Sequence, residues 1–450
     1  MTNLTDGFLR RLAVVAVLVL LAGACGGDDD GEGATDTNGG DTGNGEELPD
    51  LSGVQLEVAL VPTGTEAELF GAVFEAFEQQ TGASVTVTST GDDIAAVIGP
   101  RIAGGDPPDV ALLPQPGLLR DFAGQGALQP LEDVVGEAVD EHYAQIWREL
   151  GSVDGELYGV WFKAANKSLI WYNTTVFDDA GIEPPEDLEG FLEVAQTATD
   201  FGVPALSIGG GDGWPLTDWF ENVYLRTAGP ETYDQLAAHE IPWTDPSVVT
   251  ALETMAETFT PTVLAGGTQG TLSTDFNTSV TRVFTEPPDA AMVFEGDFVG
   301  AVITGDTETE LGEGADVFPF PEIEDSGPAV VSGGDVAVLL DDTEGGRALI
   351  EYLASPEAGE VRAELGGFIS PNRDVDIDAY PDEISRTIAE SLIDAGENLR
   401  FDLSDLQPSS FGSTQGQGMW KLFQDFVADT SNVAGITEQL EAAANVAYGG

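Results

Sequence analysis

The chain has 450 residues, with 80 acidic side chains against 15 lysines and arginines and a formal net charge of −65. Self-repulsion on that scale favours solubility and opposes binding to nucleic acid or anionic lipid, so no nucleic-acid partner is expected. A single cysteine leaves no intramolecular disulfide, and 42% hydrophobic composition over this length is enough for two hydrophobic cores.

Near the amino terminus, Arg10 and Arg11 precede an apolar run, 12–22, that stops at Gly23-Ala24-Cys25. The run suits the core of a secretory signal and falls short of the roughly 20 residues that span a bilayer. Small residues before the only cysteine resemble the lipobox of bacterial lipoproteins, although Ala22 stands where its strongest form has leucine. That likeness implies a signal peptide over 1–24, lipid on Cys25 and a place on the outer face of the cell membrane. Residues 25–50 are rich in Gly, Asp and Glu and read as a flexible tether.

The folded part opens with Val54, Leu56, Val58 and Leu60 in alternation, a predicted strand, then Leu69, Phe70, Val73, Phe74 and Phe77 at helical spacing. Val85 and Val87 predict a second strand, and Ile94, Val97, Ile98 and Ile102 a second helix. The turn-forming Pro107-Pro108 opens a third strand over 109–113, and apolar runs at 168–172, 205–208, 290–294 and 336–340 read as later strands. Strands alternating with helices predict an α/β fold with parallel-rich sheets flanked by helices. The chain has no H-E-x-x-H, no G-x-S-x-G and no glycine-rich phosphate loop. Its only imidazoles, His142 and His239, are expected at the surface, and no cofactor or metal is expected.

Several segments occur in an order that resembles the extracytoplasmic solute-binding proteins of carbohydrate ABC importers, above all the maltose- and α-glucoside-binding group. They include "FEAFEQQTGASVTV" at 74–87, "SLIWYNTTVFDDAGIEPP" at 168–185, "AMVFEGDFVGAV" at 291–302, "VSGGDVAVL" at 331–339 and "RFDLSDLQP" at 400–408. The resemblance implies a two-lobed periplasmic-binding-protein fold of type II with the ligand in the cleft between the lobes. It implies crossings near 168–172, 318–323 and 366–370, giving one lobe from 53–168 plus 323–368 and the other from 169–322 plus 369–450. It further implies a monomeric receptor without enzymatic activity that captures a carbohydrate, an α-glucoside or other oligosaccharide. The lobes would close on that sugar and deliver it to the permease subunits of the importer.

A sugar offers an apolar C–H face and a rim of hydroxyls, so its site needs rings interleaved with carboxylates and amides. The stretches 210–219 and 294–298 have that composition, with Trp214, Asp218 and Trp219 in the first and Glu295, Asp297 and Phe298 in the second. The family resemblance places aromatic platforms at Trp214 and Phe298. It also assigns ligand contacts to Glu66, Gln115 and Asp335, which follow the first strand, follow the third, and sit in the Gly333-Gly334 turn. Lys163 and Asn166 precede a crossing strand, where Lys163 either donates to hydroxyls or pairs with an acid. Asp402 and Asp405 match the α-glucoside-like motif, but helix capping explains them equally well. Trp420, spaced with Leu422, Phe423 and Phe426, reads as core. Two other readings stay open: the same fold holding a polyamine, peptide, phosphate or metal, and a secreted glycosidase using a carboxylate pair.

Overall fold

The computed structural model describes residues 48–449, apart from the side chains of Asp394 and Glu397. The expected signal peptide, Cys25 and nearly all of the tether lie outside the described residues. No helix among the described residues is long and apolar enough to cross a membrane.

Strands β1 (Gln55–Leu60), β2 (Ser84–Ser89), β3 (Val110–Leu113) and β4 (Gly159–Asn166) belong to a first sheet. The next four, β5 (Leu169–Asn173), β6 (Leu206–Ser207), β7 (Met292–Phe294) and β8 (Ala315–Pro319), build a second sheet. Then β9 (Val330–Leu339) and β10 (Leu399–Phe401) return to the first, whose order is β10-β9-β3-β1-β2 with β4 beside β9. The β1–β2 and β1–β3 pairs are parallel, whereas β9 runs antiparallel to β3 and β4. In the second sheet, β8-β5-β7-β6, strand β5 is antiparallel to both neighbours and β6 parallel to β7.

Helices pack on these sheets through apolar stripes. α1 (Gly64–Thr81) buries Phe70, Val73, Phe74 and Phe77, the spacing predicted from sequence. It ends where Gly82 turns left-handed at φ 74°. Of the later helices, α2 (Trp214–Ala228) is buried nearly all round, α3 (Val299–Asp306) follows β7, and α4 (Glu383–Asp394) lies near the carboxyl end.

Two hydrophobic cores result. The first gathers Leu56, Phe70, Phe77, Leu112, Leu339 and Tyr352, the second Phe191, Trp219, Phe220, Trp243, Phe294 and Phe423. Each such side chain contributes about 1.5–3 kcal/mol when removed from water. The chain passes between the two sheets at 166–169, at 319–330 and after 401. The last passage differs from the expected crossing at 366–370 and lobe boundary at 369. Ile388, Ala389 and Leu392 of α4 join the first core, and Phe401 sets its ring against Trp161 at 5.0 Å, so the chain stays with the first sheet until Leu403 enters the second core.

Candidate functional site

Between the two sheets lies a cavity of about 370 Å³, within the range of small-molecule sites. Loops at the carboxyl ends of strands supply much of its wall, as open α/β sheets require. After β1 comes Glu66 in the first turn of α1, and after β2 comes Asp92. After β3 comes Gln115, which precedes the helix Pro116–Gly124. From the second sheet come Asp212 and Trp214 after β6 and Phe298 after β7. Lys163 on β4, Asp335 on β9 and the crossing residues Lys167, Asp402 and Asp405 close the wall between them.

Local backbone fixes the main ring. Gly213 adopts φ 96°, which turns the chain into α2, and Trp214 is the first residue of that helix. A Cβ on Gly213 would lie 2.8 Å from Cβ of Trp420, so only glycine lets the two tryptophan-bearing segments meet. Trp214, Phe276 and Phe298 form a trio with centroids 5.2 to 6.1 Å apart, the two phenylalanines edge-on to each other and both tilted against Trp214.

Both lysines in the wall are neutralised. Lys163 Nζ stands 2.6 Å from Glu66 Oε1 and 3.9 Å from Asp335, and 5.0 Å from the Phe298 ring centre. Lys167 Nζ lies 2.5 Å from Asp402, 3.0 Å from Asp218 and 3.9 Å from Asp405, and 5.5 Å from the Trp214 ring centre. Burial opposes both ammonium groups, but the carboxylates outweigh it and hold both pKa values above the usual lysine range.

The acids divide by their surroundings. Burial, then neighbouring carboxylates, pushes Asp218, Glu221, Glu295 and Asp405 well up. Asp402 is buried too, yet Lys167 and its hydrogen bonds hold it below the usual carboxylate range. One ammonium cannot fully offset five buried carboxylates, so the cluster favours holding protons relative to free carboxylates. Asp92 is pushed up to about 6 by burial and by Asp212 and Asp93, and burial, with Glu66 nearby, raises Asp335 to about 6 against the pull of Lys163.

Oxygens of Asp218, Glu221 and Asp402 lie within 4.8 Å of one another, a spacing that suits a metal ion. The residues do not fit one. Lys167 already places its ammonium against two of the three, and Glu221 accepts from Leu403 N at 2.7 Å and Ser404 N at 2.9 Å.

Among the residues singled out from sequence, Glu66, Gln115, Lys163, Trp214, Phe298 and Asp335 line the cavity together. Five others do not. Trp219 is 1% exposed, packed edge-on against Phe259, Phe294 and Phe320 in the second core. Asp218 and Glu295 are fully buried beneath the wall, the first against Lys167. Asp297 accepts from Asn166 N at 2.8 Å, and Asn166 Oδ1 accepts from Ser168 N at 2.9 Å, so both hold a crossing in shape. Trp420 corrects in the other direction: it lines the cavity although it is only 3% exposed. Asp402 lines the cavity and also accepts from Asp405 N at 3.0 Å, closing a turn over 403–406 where no helix forms.

Sequence reasoning missed Asp92, Lys167, Asp212, Asp275 and Phe276, all in the wall. Asp92 was within reach, since it follows a predicted strand, and Asp212 lay inside the glycine-rich stretch already singled out. Nothing in the sequence marks Phe276. His142 and His239 are partly exposed and pair with Asp374 and Glu441 away from the cavity.

The family described as bacterial extracellular solute-binding protein matches residues 62–360. The osmoprotective compounds-binding protein GgtB of Synechocystis sp. is 36% identical over 86% of this chain and 92% of its own. The alpha-glucosides-binding periplasmic protein AglE of Rhizobium meliloti is 34% identical over 85% of each. Among solved structures, the bacterial solute receptor AcbH, with an exclusive preference for β-D-galactopyranose, superposes with a TM-score of 0.78. It does so at 20% identity over 87% of this chain and 98% of its own, which gives the type II fold. The chain therefore belongs to the bacterial extracellular solute-binding proteins, the receptors that hold a small molecule for ABC importers.

Proposed function

We propose that the protein captures a small neutral glycoside, an α-glucoside or a glycoside-like osmoprotective compound, and delivers it to an importer permease by closing its lobes. The observation that carries this reading is the wall itself: rings Trp214, Phe276 and Phe298 beside carboxylates Asp92, Asp212 and Asp335, with both lysines already paired. Rings suit the C–H face of a sugar, and carboxylates suit its hydroxyls. A volume of about 370 Å³ lies at the small end for ligand sites and favours a short glycoside over a long oligosaccharide. The two relatives that cover most of the chain, named for osmoprotective compounds and for α-glucosides, support the same class. The signal-like leader and Cys25 support attachment to the outer face of the membrane.

A thermal-shift screen tests the ligand class, because bound solute raises the melting temperature. Trehalose, sucrose, maltose and methyl α-glucoside are expected to raise it, and spermidine, maltoheptaose and glucose 6-phosphate to leave it unchanged. A rise with spermidine alone would replace this reading with a cationic solute in the same cleft. For a sugar that binds, Trp214→Ala is expected to weaken affinity at least tenfold in calorimetry.

A further inference from the structure

All three crossings meet one helix. Asp218, Asn222 and Arg226 recur every four residues along α2, and Glu221 lies three after Asp218 and next to Asn222, so the four share one broad face, and all are buried. Asp218 reaches Lys167 Nζ at 3.0 Å, in the first crossing. Asn222 Nδ2 donates to Lys167 O at 2.9 Å, and its Oδ1 accepts from Ser168 Oγ at 2.5 Å. Arg226 donates to Phe320 O at 3.3 Å and Ala329 O at 2.7 Å, at the two ends of the second crossing. Glu221 accepts from Leu403 N and Ser404 N in the third. The crossings are also bonded to each other: Lys167 N donates to Val331 O at 2.9 Å, and Val331 N to Ser168 Oγ at 2.8 Å.

A polar stripe inside a hydrophobic core is costly unless every group is paired, and apolar residues would fill the same volume at lower cost. Here the stripe has a positional task. Its partners are chiefly the backbone and side chains of the crossings, joined by bonds within the helix from Arg226 to Asn222 and from Asn222 to Asp218 O, and by Tyr233 Oη donating to Glu221. Trp214, which faces the cavity, is the first residue of the same helix.

We infer that α2 is the anchor of the hinge: its buried polar face fastens all three crossings to the second-sheet half, and Glu221 and Arg226 are positioning residues for solute binding that never touch the solute. Glu221 acts through the backbone that presents Asp402 and Asp405 to the cavity, and Arg226 through the segment 320–329. Bending on solute uptake is thereby confined to where the crossings enter the first sheet. A solute resting on Trp214 bears on the rod that holds them. The inference rests on the proposed closure for its functional half, and on geometry alone for its mechanical half.

Amide hydrogen exchange on the full chain without any sugar tests the mechanical half. Leu403, Ser404 and Val331 are expected to exchange as slowly as the core of α2, and Glu221→Gln, which keeps only one of two acceptors, to speed Leu403 or Ser404 at least tenfold. Free exchange at these amides in the ligand-free wild type, with protection only after sucrose or maltose is added, would overturn the anchor. The functional half is read by calorimetry and scattering with sucrose and maltose. Glu221→Gln and Arg226→Lys are expected to lose at least tenfold in affinity and to shrink less on sugar addition. Variants that melt earlier but bind with wild-type affinity and contract fully would show that the stripe only stabilises. If neither sugar binds the wild type, the proposed ligand class fails while the exchange experiment still decides the anchor.

Discussion

Lys167 holds its ammonium against Asp218, Asp402 and Asp405, and its neighbours are legible only in space, because the acids come from 218 and 402–405. Removing one partner of such a buried set leaves charge without compensation. Lys167→Met is expected to lower unfolding free energy by about 3–5 kcal/mol in urea at pH 7.5. The loss should shrink toward pH 5 as the released acids take up protons; a change under about 1 kcal/mol would contradict the arrangement. Asp92 gives the opposite sign. Its pKa, raised to about 6 by burial and by Asp212, means that the folded state holds this proton more tightly than the unfolded chain. Its contribution is therefore complete below pH 4 and is lost as pH rises through 6. Asp92→Asn is expected to stabilise the protein by about 1 kcal/mol at pH 8 and by nothing at pH 4, in thermal melts at both. The two tryptophans of 210–219 show why residue types alone mislead. Five positions apart on a helix, they point about 140° away from each other, so one faces the cavity and the other the core.

At the scale of elements, periodic segments and apolar runs as short as 205–208 and 290–294 were legible, while β4 and β10 were not. The stripe of α1 and the alternation of β1 follow from spacing alone, because apolar period reports directly on burial. β10 has only three residues and no pattern of its own. Its pairing with β9 and the packing of Phe401 keep 377–401 with the first core, which moved the last crossing from its expected place. The buried polar face of α2 reads in sequence like a solvated stripe, and only its partners reveal an interior one. The turn into α2 carries a test. Gly213→Ala combines φ 96° with a Cβ that meets Trp420, and it is expected to cost about 1–3 kcal/mol in stability. Sugar affinity should fall with it, because Trp214 and Trp420 both move; wild-type affinity in calorimetry would show that this turn does not set the site.

For the molecule as a whole, composition allowed two cores, the alternation of strands and helices pointed to an α/β fold, and the ordered segments resembled the family now matched over 62–360. What remained invisible was which acids face the cleft, since 80 of them are spread along the chain and burial sorts them only after folding. That charge makes a prediction of its own. At −65, repulsion across the surface opposes compaction, and salt screens it over roughly 10 Å at 0.1 M and 3 Å at 1 M. The melting temperature is expected to rise between 0.05 and 1 M sodium chloride, consistent with a saline or alkaline habitat; equal melting at both would remove that explanation of the acidity.

Among the described residues, Lys163 and Lys167 are the only cationic side chains in the cavity wall, and each is taken on one side by acids and on another by a ring. A phosphorylated or uronic sugar arriving there would find no positive charge left to greet it, and a ring of like charge instead. On the proposed reading the receptor would sort its cargo by withholding a counterion: an unmodified glycoside would be admitted, while the same sugar bearing a phosphate or carboxylate would stay in the medium.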